Sequence, residues 1–284
     1  MSNNSYVSVL STESYLIAIK CLYKSLKNTK TEYPFTVIIN DNISKETEQE
    51  LIHIGINVIR KKSVNISDKI INNNNNNNAQ YWNNTFDKLH IFELTEFSKI
   101  VYLDADMYIR KNIDELFDKP NMSAVIDKRY IPLISKDWIK LNSGLMVITP
   151  DNRANIEFEK ILESISNNPK TCGDQDILQE YAKEWNTDEQ LHLDDKYNVF
   201  FPFLDYYTHY TNIKLSDISV IHFVFDEKPW NYNGDDKVSN YLKNVNNNLE
   251  DTARKRNLEI LNDCVNIGNR DREQILNEYY KITE

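Results

Sequence analysis

Asp104 and Asp106, separated by one alanine, follow directly on the apolar run 100–103 in "IVYLDADMYI". In an extended segment residues i and i+2 point to the same side. Both carboxylates then face one way, and Ala105 is small enough to let a ligand approach. Two acids at the end of a buried strand need something positive to meet them. Hard oxygen ligands of this kind suit Mg2+, Mn2+ or Ca2+. Spacing alone does not identify a metal site, because Asp174 and Asp176 repeat it without a preceding apolar run. Other segments add chemistry. "LNSGLMVI" (141–148) sets small polar residues, Asn142 and Ser143, before a buried strand. "CGDQDIL" (172–178) starts a helix with an exposed acid–amide pair, Asp174 and Gln175. "VIHFVFDEKPWNY" (220–232) ends an apolar run with His222 and then offers Lys228. Taken singly, a strand-end histidine is a hydrogen-bonded core residue and a lysine is a solvated charge. Beside the aspartates, His222 becomes a third metal ligand and Lys228 a phosphate contact. The imidazole nitrogen moves the preference from Mg2+ toward Mn2+.

The elements that must hold these groups alternate along the chain. Apolar, β-branched runs predict strands at 6–10, 35–39, 57–60, 99–103, 123–126, 144–148 and 220–224. Between the first two, Tyr15, Leu16, Ile19, Leu22, Tyr23 and Leu26 fall at helical steps. Further helices are predicted over 45–53 and 86–97. This order implies an α/β fold with a parallel sheet covered by helices on both faces. Such folds bind ligands beyond the carboxyl ends of their strands, where Asp104 and Asp106 lie. The asparagine run 72–78 has no apolar face, so a flexible loop over about 63–80 is expected. Residues 235–284 are polar and helical in pattern, an extension packing on or beside a single domain over 1–234.

With 284 residues the chain is long enough for a sizeable core. Its net charge of −10 argues against a nucleic-acid partner, whose backbone demands a basic face. Cys21, Cys172 and Cys264 are too scattered for a disulfide framework or zinc cluster and suit a reducing compartment. No leader pattern opens the sequence, and no stretch nears the ~18 apolar residues of a membrane span. A cytoplasmic protein is expected.

Four blocks in order, "FDKLHIFELTEFSKIVYLDADMYIRKNIDELFD", "NSG", "GDQ" and "HFVFDEKPWNY", resemble the glycogenin-like family of retaining glycosyltransferases from about residue 6 to 232. The resemblance implies a GT-A fold: a Rossmann-like nucleotide-binding half, with a mostly parallel sheet, fused to an acceptor-binding half. It implies a UDP-sugar donor, UDP-glucose first, and Mn2+, with Mg2+ as the alternative. By position it makes Asp104, Asp106 and His222 the metal ligands. Val9, Ser11, Thr12 and Tyr15 would cradle the uridine, with Tyr15 stacking on the base. Lys88 and Ala105 would lie near the donor, Lys228 on the diphosphate, Asn142 and Ser143 along the donor sugar, and Asp174 and Gln175 near the anomeric carbon. Trp230 belongs to the closing "KPW" turn on the acceptor side.

The sequence departs from the family in places. Phe225 stands where the family has glycine in a turn near the phosphates, Thr171 replaces an acid, and residues 63–87 lack an expected arginine. Glycogenins glucosylate a tyrosine of their own before the histidine strand, and an ungapped comparison puts Asp205 there. Tyr206, Tyr207 and Tyr210 lie beside it. The expected activity is hexose transfer, probed first with glucose, to a tyrosine or growing glucan, including the protein's own chain; a homodimer supplying the tyrosine from its neighbour is compatible with this. The rivals are a galactosyl- or other hexosyltransferase acting on a separate glycan, lipid or polyol, and an inactive nucleotide-sugar-binding scaffold.

Overall fold

The apolar run that ends in Asp104 and Asp106 is the middle strand of a seven-stranded sheet. The computed structural model describes residues 3–127, 139–168, 170–256 and 258–283. Its strands are β1 (Asn4–Leu10), β2 (Phe35–Ile39), β3 (Asn57–Arg60), β4 (Lys99–Leu103), β5 (Met107–Ile109), β6 (Ser123–Ile126), β7 (Leu141–Ile148), β8 (His192–Leu193), β9 (Val199–Phe200) and β10 (Val220–His222). The large sheet runs β3-β2-β1-β4-β7-β6-β8, and a small one runs β5-β10-β9. β1 to β4 are mutually parallel along the sheet, while β7 is antiparallel to both β4 and β6. The helices are α1 (Leu16–Asn28), α2 (Lys45–His53), α3 (Asp68–Asn76), α4 (Arg153–Asn167), α5 (Asp174–Tyr181), α6 (Leu204–Tyr210), α7 (Lys237–Arg256), α8 (Glu259–Asn266) and α9 (Arg270–Thr283).

Side chains alternate across each strand, so the large sheet divides two cores. Val101 and Leu103 of β4 face Ile19, Leu22 and Leu26 of α1 and Leu51 of α2. Ile100 and Tyr102 face Phe86, Phe92, Phe158 and Ile177. A third core joins the small sheet to the C-terminal helices: Ile221 and Phe223 pack with Tyr241, Leu249, Ile275 and Tyr279.

Several local expectations change. The aspartate segment is not extended: the Met107 amide donates to the Asp104 carbonyl across 3.2 Å, a tight turn that carries the chain from β4 into β5 and the second sheet. The 86–97 helix is a 3-10 helix over Phe86–Glu93. β7 begins at Leu141, so the "NSG" residues lie within the strand, and β10 stops at His222. The asparagine run is helical through Asn76 rather than a loop, with Asn77 and Asn78 turning out of α3. The Ser67 hydroxyl caps α3 by accepting from the Ile70 amide, and Ile70 is fully buried. Asn74, also fully buried, donates to the Cys172 carbonyl and accepts from the Cys172 amide. One amide side chain thus replaces a strand-like backbone partner, a role composition does not advertise.

Candidate active site

The turn after β4 meets the end of β10 at the seam between the two sheets. β5 pairs antiparallel with β10, setting Met107 opposite His222. That register brings one ligand atom each of Asp104, Asp106 and His222 within 4.8 Å of one another. The His222 Nε2 lies 3.1 Å from Asp106 and 3.9 Å from Asp104. Gly144 of β7 makes room for the ring: a Cβ there would come within 2.7 Å of His222 Cε1.

Two buried lysines hold the charge balance. Lys228 Nζ sits 2.7 Å from Asp106 and donates to the Phe223 carbonyl at 2.5 Å. Lys88 Nζ bridges Asp104 at 2.9 Å and Asp174 at 2.6 Å, over the Tyr102 ring. Burial disfavours the Lys88 cation, but Asp104 and Asp174 outweigh it and lift its pKa above the ordinary lysine range. Burial also pushes Asp174 upward, and Lys88 outweighs that, leaving it below the usual carboxylate range. The DxD pair splits. Burial raises Asp104, with Asp106 adding to the rise against Lys88. At Asp106 burial is overcome by Lys228 and His222, and its pKa is held low. Two acids sharing one site behave this way until a cation arrives.

Around this centre the polar groups are closely joined. Asp174, expected exposed, is buried at the start of α5, its amide bonded to Thr85 Oγ1 and its carboxylate accepting from the Ser143 hydroxyl at 2.7 Å. Gln175 accepts from the Ser143 amide and donates to Asp127. Asn142 also donates to Asp127. Tyr102 donates to Asp104 at 2.7 Å. Sequence reasoning missed Asp127, Asn198 and Asp87. Asp127 carries the same signal as Asp104, an acid closing the apolar strand β6. Asp87 is buried and accepts from Ser11 Oγ, Asn40 Nδ2 and the Val64 amide, fastening the expected uridine segment. Asn198 precedes a two-residue strand and carries no sequence signal of its own.

The remaining expected residues are placed as follows. Val9 is half-buried one residue before the end of β1, and Ser11 and Thr12 follow the strand in the turn toward α1. Tyr15 packs edge-on against Trp230 at 5.4 Å, and burial together with Asp106 and Asp104 raises its hydroxyl pKa. Ala105 is half-buried against the first core. On α6, Tyr207 is buried, Tyr206 half-buried and Tyr210 56% exposed. Asp205 is buried and accepts from Arg272 Nε and from the Asp271 and Arg272 amides. Phe225 keeps φ at +76°, the left-handed geometry that glycine serves best.

Two carboxylates and one imidazole, with Tyr102 bonded to Asp104 and Asn198 against His222, fit a divalent cation, which Asp104, Asp106 and His222 would hold. No helix among the described residues is long and apolar enough to cross a membrane.

Known proteins resemble this chain in sequence and in fold. Human glycogenin-1 is 28% identical over 242 residues, a match covering 84% of this chain and 65% of the human protein. Galactinol synthase 2 of Arabidopsis thaliana is 26% identical over 263 residues, covering 82% and 75%. Among solved structures, the galactosyltransferase LgtC in complex with donor and acceptor sugar analogs gives a TM-score of 0.56 at 16% identity, covering 85% of this chain and 95% of that one. Apo GlyE of Streptococcus pneumoniae TIGR4 gives 0.58 at 18% identity, covering 86% and 60%. At those identities the likeness speaks for the fold, which is GT-A. The model of glycosyl transferase family 8 matches residues 6–234. The chain belongs to glycosyl transferase family 8, as a glycogenin-like member.

Proposed function

We propose that this protein is a metal-dependent, retaining hexosyltransferase that uses a UDP-hexose, with UDP-glucose the first donor to test and Mn2+ the first metal. The observation that carries the reading is the pair of buried lysines, Lys228 on Asp106 and Lys88 between Asp104 and Asp174. Breaking the bond from anomeric carbon to phosphate leaves negative charge on UDP and an oxocarbenium-like sugar. A divalent cation held by Asp104, Asp106 and His222 supplies Lewis-acid neutralisation of the diphosphate. Lys228 adds a second positive charge on the leaving-group side. Lys88 keeps Asp174 ionised, and Asp174 grips donor hydroxyls. Gln175 faces the sugar with its amide held at both ends by Ser143 and Asp127. An amide is a poor nucleophile. Same-face attack, with the departing phosphate taking the acceptor proton, therefore suits these residues better than a covalent intermediate.

For the acceptor, the fixed role of Asp205 favours a separate carbohydrate or polyol over the family's own tyrosine position. One observation supports a second reading, glucosylation of this chain: Tyr210 is exposed on α6. A single experiment addresses both. UDP release is measured over a panel of UDP-hexoses with Mn2+, with and without sugar or polyol acceptors, and the protein's intact mass is followed. Release with one preferred donor, stimulated by an acceptor and lost in Asp106→Asn or with EDTA, is expected. Mass steps of one hexose mapping to Tyr210 would favour the second reading. No release above the Asp106→Asn background for any donor would sink the proposal.

A further inference from the structure

One buried amide, Asn198, touches both halves of the centre. It lies directly before β9, which pairs in parallel with β10 and sets Phe200 opposite His222. Its backbone amide is tied to the Asp195 carbonyl, and its side chain is 4% exposed. On one side Asn198 Oδ1 is 2.9 Å from His222 Nδ1. On the other, Asn198 Nδ2 is 2.6 Å from Asn142 Oδ1. Asn142 immediately precedes Ser143, whose hydroxyl donates to Asp174.

The direction of every bond in this chain is fixed, starting from a backbone group that can only donate. The Gly144 amide reaches Asn142 Oδ1 at 2.9 Å, so that atom is the oxygen. Asn142 Nδ2 then faces the Asp127 carboxylate at 3.1 Å, as a donor must. Asn198 therefore presents its NH2 to Asn142 and its oxygen to His222. An oxygen facing Nδ1 requires a proton on Nδ1, so the neutral ring is the Nδ1–H tautomer, and Nε2, 3.1 Å from Asp106, is the nitrogen a cation would take. A metal-bound imidazole needs that tautomer, and such outer partners orient the ring and raise its basicity.

We infer that Asn198 is a positioning residue that sets the His222 tautomer and, with the same amide, fixes Asn142 against the donor sugar, so that metal binding and sugar placement are coupled through one side chain. The inference rests on the metal site proposed above. Asn198→Ala removes both ends of the coupling. Asn198→Asp keeps an oxygen for His222 Nδ1–H but turns an acceptor toward the Asn142 oxygen, so it breaks the sugar end alone.

The test is Mn2+ affinity by electron paramagnetic resonance titration, paired with UDP affinity and the rate of hexose release at saturating Mn2+. His222→Ala serves as the reference, and thermal melts confirm folding. Asn198→Ala should weaken Mn2+ binding about 10–100-fold. Asn198→Asp should bind Mn2+ as the parent does, with unchanged UDP affinity, and lose about 10–100-fold in kcat because the sugar is misplaced. Parent-like Mn2+ binding in Asn198→Ala, with His222→Ala weakened, would overturn the inference and spare the metal site. Equal loss of Mn2+ in both Asn198 variants would overturn the separation of the two ends, and if Asn198→Ala does not fold, Asn198→Asp decides by this criterion. No Mn2+ binding by the parent, or none lost in His222→Ala, would overturn the metal site and the inference with it.

Discussion

Phe225 holds its backbone in the left-handed region with a side chain that is 49% exposed, its ring meeting Phe203 edge-on at 5.9 Å. A non-glycine residue in that region costs about 1–2 kcal/mol, and glycine loses about 0.5–1 kcal/mol more chain entropy than other residues on folding. Phe225→Gly should therefore gain up to about 1 kcal/mol, a rise of about 2–4 °C in melting temperature for a chain of this size. A fall in melting temperature would show that the Phe203 contact outweighs the backbone strain. Asp114 offers a test of a different kind. Burial works to raise its pKa, but hydrogen bonds from Thr31, Tyr6, the Glu32 amide and Asn112 outweigh it and hold the carboxyl below its ordinary value. A depressed folded-state pKa gives stability that is present above the unfolded value and lost as pH falls through the folded one. Asp114→Asn should accordingly melt below the parent at pH 7, with the gap narrowing as pH falls below about 5 and on through the lowered carboxyl pKa. A gap constant across that range would remove Asp114 from the acid sensitivity of this protein. Residues of the first kind, whose type and neighbours matter locally, were visible as sequence. The Phe225 departure is legible directly, because a glycine position filled by phenylalanine is a local fact.

Elements repeat this lesson with more exceptions. β2, β4 and β6 fall where their β-branched runs place them, because each run is bounded by polar turns and buried on both faces, and β3 falls in place as the half-exposed edge strand. β5 and β9 escape, since two or three residues carry no period and exist as strands only because β10 pairs with them. α3 escapes for another reason: its stability comes from Ile70 and from Asn74 bonding across to Cys172, and the second is invisible in a low-complexity run. α6 and α9 are fastened together by a buried ion pair. Arg272 is fully buried, 2.9 Å from Asp205, and also donates to Pro202 O, Asn246 Oδ1 and Asn269 Oδ1. Removing one partner leaves the other charge uncompensated, which costs about 3–5 kcal/mol. Arg272→Met should lower the unfolding free energy obtained from urea titration by that much. A loss under about 1 kcal/mol, the scale of an exposed pair, would mean that water replaces the guanidinium and that the helices are held by apolar packing alone.

At the scale of the whole molecule, the site depends on two sheets that the sequence does not announce as two. The four motif blocks converge, since Asp104, Asp106, His222, Lys88, Lys228, Asp174 and Gln175 meet in one place. The groups that orient them, Asp127 and Asn198, come from segments whose relation to the motifs exists only after folding. The C-terminal helices show the same dependence on a larger scale. The family match ends at residue 234, yet the loop carrying Lys228 is held from beyond that point. Tyr280 donates to the Pro229 carbonyl at 2.8 Å, and Tyr241 to the Glu227 carbonyl at 3.4 Å. Leu242, Val245, Leu249, Leu261, Ile275 and Leu276 are buried in the core shared with Phe201, Phe203 and Phe223. At about 1.5–3 kcal/mol each, their burial is worth on the order of 10 kcal/mol, comparable to the whole net stability of a domain, about 5–15 kcal/mol. A chain ending at residue 234 would also leave Asp205 facing an apolar surface without its arginine. It should therefore aggregate, or show no cooperative unfolding transition, and bind UDP far more weakly than the full chain. Adding residues 235–284 as a separate peptide should not restore it, because the third core forms from both sides at once. A truncated chain that is monomeric, melts cooperatively and binds UDP with parent affinity would show instead that residues 1–234 fold as a unit and that the helices only rest upon it.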